Sequence, residues 1–572
     1  MPTVEIERED LEELIGLRLP SSQEELDELL SFVKGEVKRL GEGEIQVDIK
    51  DSNRADLWSA EGIARALRGI LGIEKGLKRY KVIGESGVIV HVDSRLRNIR
   101  PYIACAVVRG VRLSDAAIRN LVRFQDKLDQ TYGRGRRRTS IGLYNFDLIA
   151  PPLHYTVSKP DEVKFVPLGF SEELSLADIL EKHPKGVEYG HIVKPFDQWP
   201  IFIDSRGRVL SFPPIINSND LGRVTVDTRN VLVEVTGTSF EAVLHALTNV
   251  ALALADRGGA ICSAEIRYPY EDLGTVVTPE LETERVALDV MYASGIIGIP
   301  LSVQEIINLL ERSRYGVLEA DEKTIIVEVP CYRTDIMHPI DIVEDIAIAY
   351  DLNKIEPRWP QVTTVGGLTK ETELRKLVRE IMIGLGYQEV LTFSMSNLIT
   401  LFDKMNIPRE NIIEVVNPKI SSMTCLRNWL IPGLMEFLSH NTHVEYPQKI
   451  FEVGYCVIHD EGLPNKARDE EKLACVTIHS SASFSEIKSV LDALFMNLGL
   501  KYTLKEAEHG SFIEGRTGKI TVEGEEVGIL GEIHPQVLEN WGLENPTAAL
   551  EVDLSKVWQI LRRRRWRKIY YP

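Results

Sequence analysis

The sequence predicts an α+β protein of several domains, its last region built on an antiparallel sheet. Three observations carry this. The chain has 572 residues, room for three to five domains of roughly 100 to 200 residues each. Strand-like runs follow one another through hairpin turns and are interrupted by helices, without strict strand–helix alternation. The proline-bounded segment EPRWPQ (356–361) reads as a linker into the last region. The resulting division is 1–86, 87–270, 271–357 and 362–572.

In the first region Ser21-Ser22-Gln23-Glu24 reads as a capping-box start for the helical run ELDELLSFV. DSNRADLWSAEGIARALRGILG (51–72) reads as a polar turn and a helix that stops near Gly69 to Gly72. In the second, IFIDSRGRVLSF (201–212) is a hairpin turning at Asp204-Ser205-Arg206-Gly207. VLVEV (231–235) is a strand, and a helix runs from Ser239 to about Asp256 with Thr238 and Glu241 as its capping box. The third region holds two helical stretches, the strand TIIVEV (324–329) and the segment RTDIMHPIDIVEDIAIAYD (333–351). The fourth reads helix (LRKLVREIMIGLG), strand (EVLTFSMS), helix (431–439), then the strands KIFEVGYCVI and KLACVTIHS. A helix capped by Ser483, a VEGEEVGI hairpin and a final strand AALEVDL follow.

Hydrophobic residues make up 44% and the formal net charge is −18. That balance excludes a protein that wraps nucleic acid on its own, since phosphate neutralisation requires a dominant basic face. Two local basic runs remain: Arg134, Arg136, Arg137 and Arg138 in RGRRR, and RRRRWRK at 562–568. The first group are candidate RNA contacts; the second reads as a solvated terminal run or a further RNA contact. No apolar run approaches the ~18 residues of a membrane span, and the acidic start lacks signal-peptide design. A cytoplasmic protein is expected. The six cysteines form no CxxC pair and read as core thiols.

The segment 333–351 concentrates Asp335, Asp341, Glu344 and Asp345. On a helix, Asp341, Glu344 and Asp345 share one face at i, i+3 and i+4, with Asp335 in the preceding turn. Hard oxygen ligands so placed suit magnesium or calcium. The competing reading is Asp341 capping a helix whose first turn favours acids.

The run VPCYRTDIMHPIDIVEDIAIAYDLNKIEP resembles the beta subunit of phenylalanyl-tRNA synthetase, archaeal and eukaryotic type. The resemblance continues, in the family's order, through FVPLGF, SFPPIINSND, RVTVDTRNVLVEVTGT, GYQEVLTFSMSN, CLRNWLIPGL, IFEVGY and GEIHPQVL. It implies magnesium at Asp335, Asp341, Glu344 and Asp345, and an alpha-subunit partner in a heterotetramer of two alpha and two beta chains. ATP and tRNA(Phe) would be substrates of that assembly. It further implies that the second region edits. An apolar phenylalanine pocket rejects an analogue bearing one added hydroxyl by only ~10²-fold, so a second pocket must bind the phenol and hydrolyse the wrong ester. Ser211, Asn217, Glu234 and Thr236 are the candidates, with Glu234 accepting the phenol hydroxyl and Ser211 and Thr236 orienting ester or water. Three positions depart from the family pattern: Asp129 and Tyr144-Asn145 where histidine and His-Asp are usual, and Ser239 where Asp is common.

The last region is similar to a class II synthetase core, but catalytically silent. Adenylate formation needs arginines that offset developing phosphate charge, and AALEVDLSKVWQ (548–559) carries no Gly-rich Arg. Phe451-Glu452 follows a strand start and Arg427 sits in LRNWL, where Arg427 reads as a packing residue or an interface ion pair and not as an ATP contact. The alternative function is a scaffold subunit of the same synthetase that does not edit.

Overall fold

The structure is a computed structural model, and it describes residues 3–41, 43–50, 53–360 and 364–563. The chain divides into two compact units at Trp359/Pro360, inside the expected EPRWPQ linker.

The first unit contains three main sheets. β1 (Thr3–Glu7), β2 (Gly35–Leu40) and β3 (Glu44–Ile49) pair in the order β1-β3-β2. They pack with α1 (Arg8–Ile15), α2 (Gln23–Ser31) and α3 (Ala60–Ile70). Ser22 accepts the Glu25 N–H and so caps α2, the expected start.

The large sheet uses β4 (Glu85–Val92), β5 (Tyr102–Arg109), β6 (Thr139–Asn145), β7 (Leu153–Ser158), β8 (Trp199–Ile203) and β9 (Val209–Phe212). It is completed by β10 (Ile216–Asn217), β11 (Asn230–Gly237), β12 (Ala260–Arg267) and β13 (Thr275–Thr278). The order is β10-β9-β8-β7-β4-β12-β5-β11-β6, with β13 paired to β12. The sheet therefore spans 85–278 and overruns the expected 87–270 at both ends. It is mixed, since β4 runs parallel to both β7 and β12. The 201–212 hairpin and the 231–235 strand form as expected. α4 (Asp115–Gln130) and α5 (Phe240–Asp256) cover one face, where Val231, Val233 and Val235 meet them. The other face carries Leu232, Glu234 and Thr236, as strand alternation requires. Thr238 does not cap α5. The helix begins one residue later than the pattern suggests, behind Ser239, with no side-chain cap, and the Thr238 hydroxyl donates to the Arg137 carbonyl instead.

The third sheet is β14 (Glu284–Asp289), β15 (Gly316–Ala320) and β16 (Thr324–Val329), in the order β14-β16-β15. α6 (Val290–Ile297), α7 (Val303–Arg312) and α8 (Pro339–Tyr350) pack on it.

The second unit is a seven-stranded sheet with helices. Its members are α9 (Lys370–Gly384), β17 (Gln388–Glu389), α10 (Ile431–His440), β18 (Gln448–His459), β19 (Ala467–Ile478) and α11 (Phe484–Asn497). β20 (Thr503–Glu506), β21 (Phe512–Val522), β22 (Glu525–Ile533), β23 (Thr547–Asp553) and α12 (Leu554–Arg563) complete it. The order β17-β18-β19-β23-β22-β21-β20 is antiparallel except at the short β17 edge. Two expectations fail here. EVLTFSMS forms only two-residue strand pieces, at Gln388–Glu389 and Met395–Ser396, because Thr392 between them hydrogen-bonds the buried Glu452 carboxylate through both its N–H and its hydroxyl. Ser483 leaves the α11 start uncapped, and Glu532 accepts the Phe484 N–H in its place.

Candidate functional site

The two ends of the large sheet approach each other. The Asn217 side chain on β10 donates to the Leu143 carbonyl of β6 at 3.4 Å, and the Asn145 N–H reaches the Leu221 carbonyl at 3.2 Å. The seam between these ends and α4 leaves a cavity of about 370 Å³, in the range of small-ligand sites. Its walls are mostly apolar. Ile118, Leu121, Val122 and Gln125 present one face of α4 at i, i+3, i+4 and i+7. Ile141 and Leu143 come from β6, and Phe212 through Ile216 from the turn after β9.

Three of the four expected pocket residues line this cavity: Ser211, Asn217 and Glu234. β9–β10 pairing sets Ser211 opposite Asn217. The Ser211 hydroxyl is buried beside the Tyr144 hydroxyl. Glu234 sits opposite Cys105 of β5 and Gly142 of β6 and is 2% exposed. The Tyr144 hydroxyl donates to Glu234 Oε2 at 2.7 Å. Burial pushes the Glu234 carboxyl up to about 7, and the Tyr144 bond and the Arg100 charge only partly offset this. A carboxyl in a cleft with so perturbed an acidity is a functional-site candidate.

Thr236 does not line the cavity. It is wholly buried, its hydroxyl accepts from Arg100 Nε at 2.9 Å and its carbonyl from Arg100 Nη2 at 2.6 Å. Two residues along an all-buried strand, it faces an arginine and not the opening. Its place is behind the pocket, bracing Arg100, and it does not orient ester or water directly. Sequence reasoning missed Arg100, which has no local partner to announce it.

The RGRRR run divides. Arg136, an expected RNA contact, is buried and lines the cavity. Its Nη1 donates to the Pro214 and Ile215 carbonyls at 3.2 and 2.8 Å, its guanidinium lies 3.0 Å from Asp129 Oδ2, and it stacks over Tyr189. Its backbone is left-handed, with φ 64°. Asp129 is also buried, accepts the Ile141 N–H, and is pushed up to about 7 by that burial. Arg134 and Arg137 are exposed; Arg138 covers the Tyr132 ring.

The four acids of 333–351 do not converge on one point. Arg333 Nε and Nη2 hold both oxygens of Asp335 at 2.8 and 2.7 Å, and its Nη1 holds Asp345 Oδ2 at 2.7 Å. Tyr315 donates to the same Asp345 oxygen at 2.5 Å. Asp341 Oδ2 accepts the Met337 and His338 N–H groups, both at 2.8 Å, completing a capping box at the start of α8. Glu344 is 3.0 Å from Lys34. The Arg333 and Arg54 charges hold the Asp345 carboxyl below the usual range despite its burial. Among the described residues no three acids, histidines or cysteines form a metal-binding group. The expected shared ion does not fit this arrangement: Arg333 engages Asp335 and Asp345, Lys34 engages Glu344, and Asp341 is taken up by the start of its own helix.

In the second unit Arg427 Nη1 lies 2.8 Å from Glu452 Oε1, both buried. Arg427 also donates to the Tyr455 carbonyl and the Thr392 hydroxyl. Of the terminal basic run, Arg562 and Arg563 end α12, with Arg563 paired to Glu525 at 2.7 Å; 564–568 lie outside the described residues. No described helix is long and apolar enough to cross a membrane.

Comparison with known proteins agrees with this architecture. A family model for the phenylalanyl tRNA synthetase beta chain CLM domain matches 355–554, and one for the tRNA synthetase B5 domain matches 286–352. The phenylalanine--tRNA ligase beta subunit of Pyrococcus furiosus is 46% identical over 98% of this chain and its own full length. That of Thermofilum pendens is 40% identical over 97% of this chain and 98% of its own. A crystal structure of an N-terminal fragment of the Pyrococcus horikoshii phenylalanyl-tRNA synthetase beta subunit superposes with a TM-score of 0.58 at 43% identity. It covers 61% of this chain and 99% of the fragment. The chain belongs to the phenylalanine--tRNA ligase beta-subunit family.

Proposed function

We propose that this subunit hydrolyses tyrosyl-tRNA(Phe) in the seam cavity, while an alpha subunit carries the ATP-dependent attachment of phenylalanine. The observation that carries the reading is Glu234, a buried carboxylate on the wall of a mostly apolar cavity. Such a wall accepts an aromatic side chain, and the carboxylate selects for a hydroxyl on it. A phenylalanyl group would leave the carboxylate without the substrate's donor, and sites built to bind a hydroxyl penalise its absence strongly.

The chemistry at the ester is hydrolysis by water: the carbonyl–ribose oxygen bond breaks, and the ribose oxygen leaves with a proton. No histidine or cysteine lines the cavity among the described residues, and Ser211, beside the Tyr144 hydroxyl, is assigned to orient the ester or the water. Arg134, Arg137 and Arg138 guide the tRNA backbone, with Arg136 reassigned to the pocket wall. The second unit is a silent class II-like core, in agreement with an Arg427 committed to Glu452. The assembly is a cytoplasmic heterotetramer of two alpha and two beta chains. Magnesium enters with ATP, and no step is derived from an ion on this chain.

The test is hydrolysis of preformed tyrosyl-tRNA(Phe) by the reconstituted complex. Clearance that slows in Ser211→Ala while phenylalanine charging persists supports the reading. Absence of clearance by the wild-type complex leaves the non-editing scaffold.

A further inference from the structure

The chain places a phenol of its own on the carboxylate expected to receive the substrate's. Tyr144 is fully buried, its ring set edge-on to Phe202 with centroids 6.4 Å apart. Its hydroxyl donates to Glu234 Oε2 at 2.7 Å and lies 3.3 Å from Asn217 Oδ1. The neighbouring strand position is Gly142, where any Cβ would collide with both the Tyr144 hydroxyl and the Glu234 carboxylate. The contact is thus built into β6 by two residues, a tyrosine that reaches the carboxylate and a glycine that lets it.

We propose that Tyr144 is a positioning residue for Glu234, fixing one carboxylate oxygen so that the other meets the hydroxyl of an incoming tyrosyl group. This rests on the cavity reading above. An ionised carboxylate offers two oxygens and about four lone-pair sites, so one bound phenol leaves capacity for a second. Thr236 is the other side chain that hydrogen-bonds the carboxylate. Ser211 and Thr236 flank it, Cys105 lies opposite on β5, and Tyr155 and Arg100 act through space. Arg100 is the cation among them. Its donors go to Thr236 and to the Arg136 and Arg137 carbonyls, not to Glu234.

Hydrogen bonding to the charged form also favours ionisation. Burial pushes Glu234 up to about 7, and the Tyr144 bond is the largest effect opposing it. Removing that hydroxyl alone moves the carboxyl higher, so that at neutral pH it is largely protonated and no longer fixed by the Tyr144 bond.

The experiment compares wild type, Tyr144→Phe and Glu234→Gln in the reconstituted complex, measuring tyrosyl-tRNA(Phe) hydrolysis across neutral to mildly alkaline pH. Uncatalysed hydrolysis is subtracted, and phenylalanine charging by the same preparations controls for assembly. Tyr144→Phe is expected to raise KM roughly tenfold at neutral pH, the size of one charge-assisted hydrogen bond, with kcat little changed. The acid limb of its profile moves to higher pH and the defect narrows as pH rises. Glu234→Gln loses the limb altogether. A Tyr144→Phe profile that coincides with wild type, while Glu234→Gln loses the limb, overturns the positioning role and leaves the cavity reading intact. A Glu234→Gln enzyme indistinguishable from wild type overturns both.

Discussion

Asp345 and Glu234 are both buried carboxylates on regular elements of the first unit, and they differ in what faces them. Asp345 receives the Arg333 guanidinium at 2.7 Å and is held below its ordinary range. Glu234 receives hydroxyls, from Tyr144 and Thr236, has no cation within ion-pair distance among the described residues, and is pushed up to about 7. The pair Arg427–Glu452 in the second unit repeats the first arrangement. Burying a charge is costly unless it is paired. A fold that pairs its structural carboxylates and leaves one facing a cavity unpaired has set that one aside for a ligand.

The largest way to break the comparison is to remove the cation. Arg333→Met leaves Asp335 and Asp345 buried without their partner, and losing one member of a buried pair destabilises by about 3–5 kcal/mol. Denaturant unfolding of the purified chain measures it; a change below about 1 kcal/mol would mean the cluster is solvated or held otherwise.

The pH dependence of stability comes next, and its sign differs between the two sites. Asp345 has a depressed folded pKa, so its contribution is present above its ordinary 3.8 and is lost as pH falls through the lower folded value. Glu234 has a raised one, so the folded state holds the proton more tightly between the ordinary 4.5 and about 7. Its contribution is greatest below 4.5 and falls as pH rises through that window, by roughly 3 kcal/mol in all. The wild-type chain minus Glu234→Gln should show that decline. A flat difference would place Glu234 in contact with water.

The smallest effect expected is that of magnesium. With each of the four acids already engaged by the protein's own donors, the melting temperature of the chain should not move with millimolar magnesium, in wild type or in the Asp341→Ala, Asp345→Ala double variant. An ion bound only by the folded state raises stability by mass action, so a rise in wild type that the double variant loses would restore the shared-ion expectation.

Much of this was legible in the sequence where local rules act alone. TIIVEV and the EPRWPQ boundary lie where the pattern puts them, because strand alternation and proline punctuation need no tertiary information. The 333–351 helix lies there too, capped through Asp341. Pocket residues Ser211, Asn217 and Glu234 were reached through motif resemblance; their meeting depends on a sheet whose ends close on each other, which no local pattern encodes. Arg136 and Thr236 were misplaced for the same reason. A basic run looks solvent-exposed until Asp129 and the Pro214 and Ile215 carbonyls take one member, and a strand threonine looks like a pocket residue until a distant Arg100 occupies it. EVLTFSMS failed as a strand because Thr392 is drawn to Glu452, across 60 residues of sequence.

The central claim, that Glu234 is the phenol acceptor of an editing cavity, is tested most directly by one ratio. It is the rate of hydrolysis of tyrosyl-tRNA(Phe) over that of phenylalanyl-tRNA(Phe), measured in wild-type and Glu234→Ala complexes. A charge-assisted hydrogen bond contributes about 1.5–3 kcal/mol. The ratio should therefore fall by roughly tenfold to more than a hundredfold in the variant, with phenylalanine charging near wild type. An unchanged ratio would contradict the account.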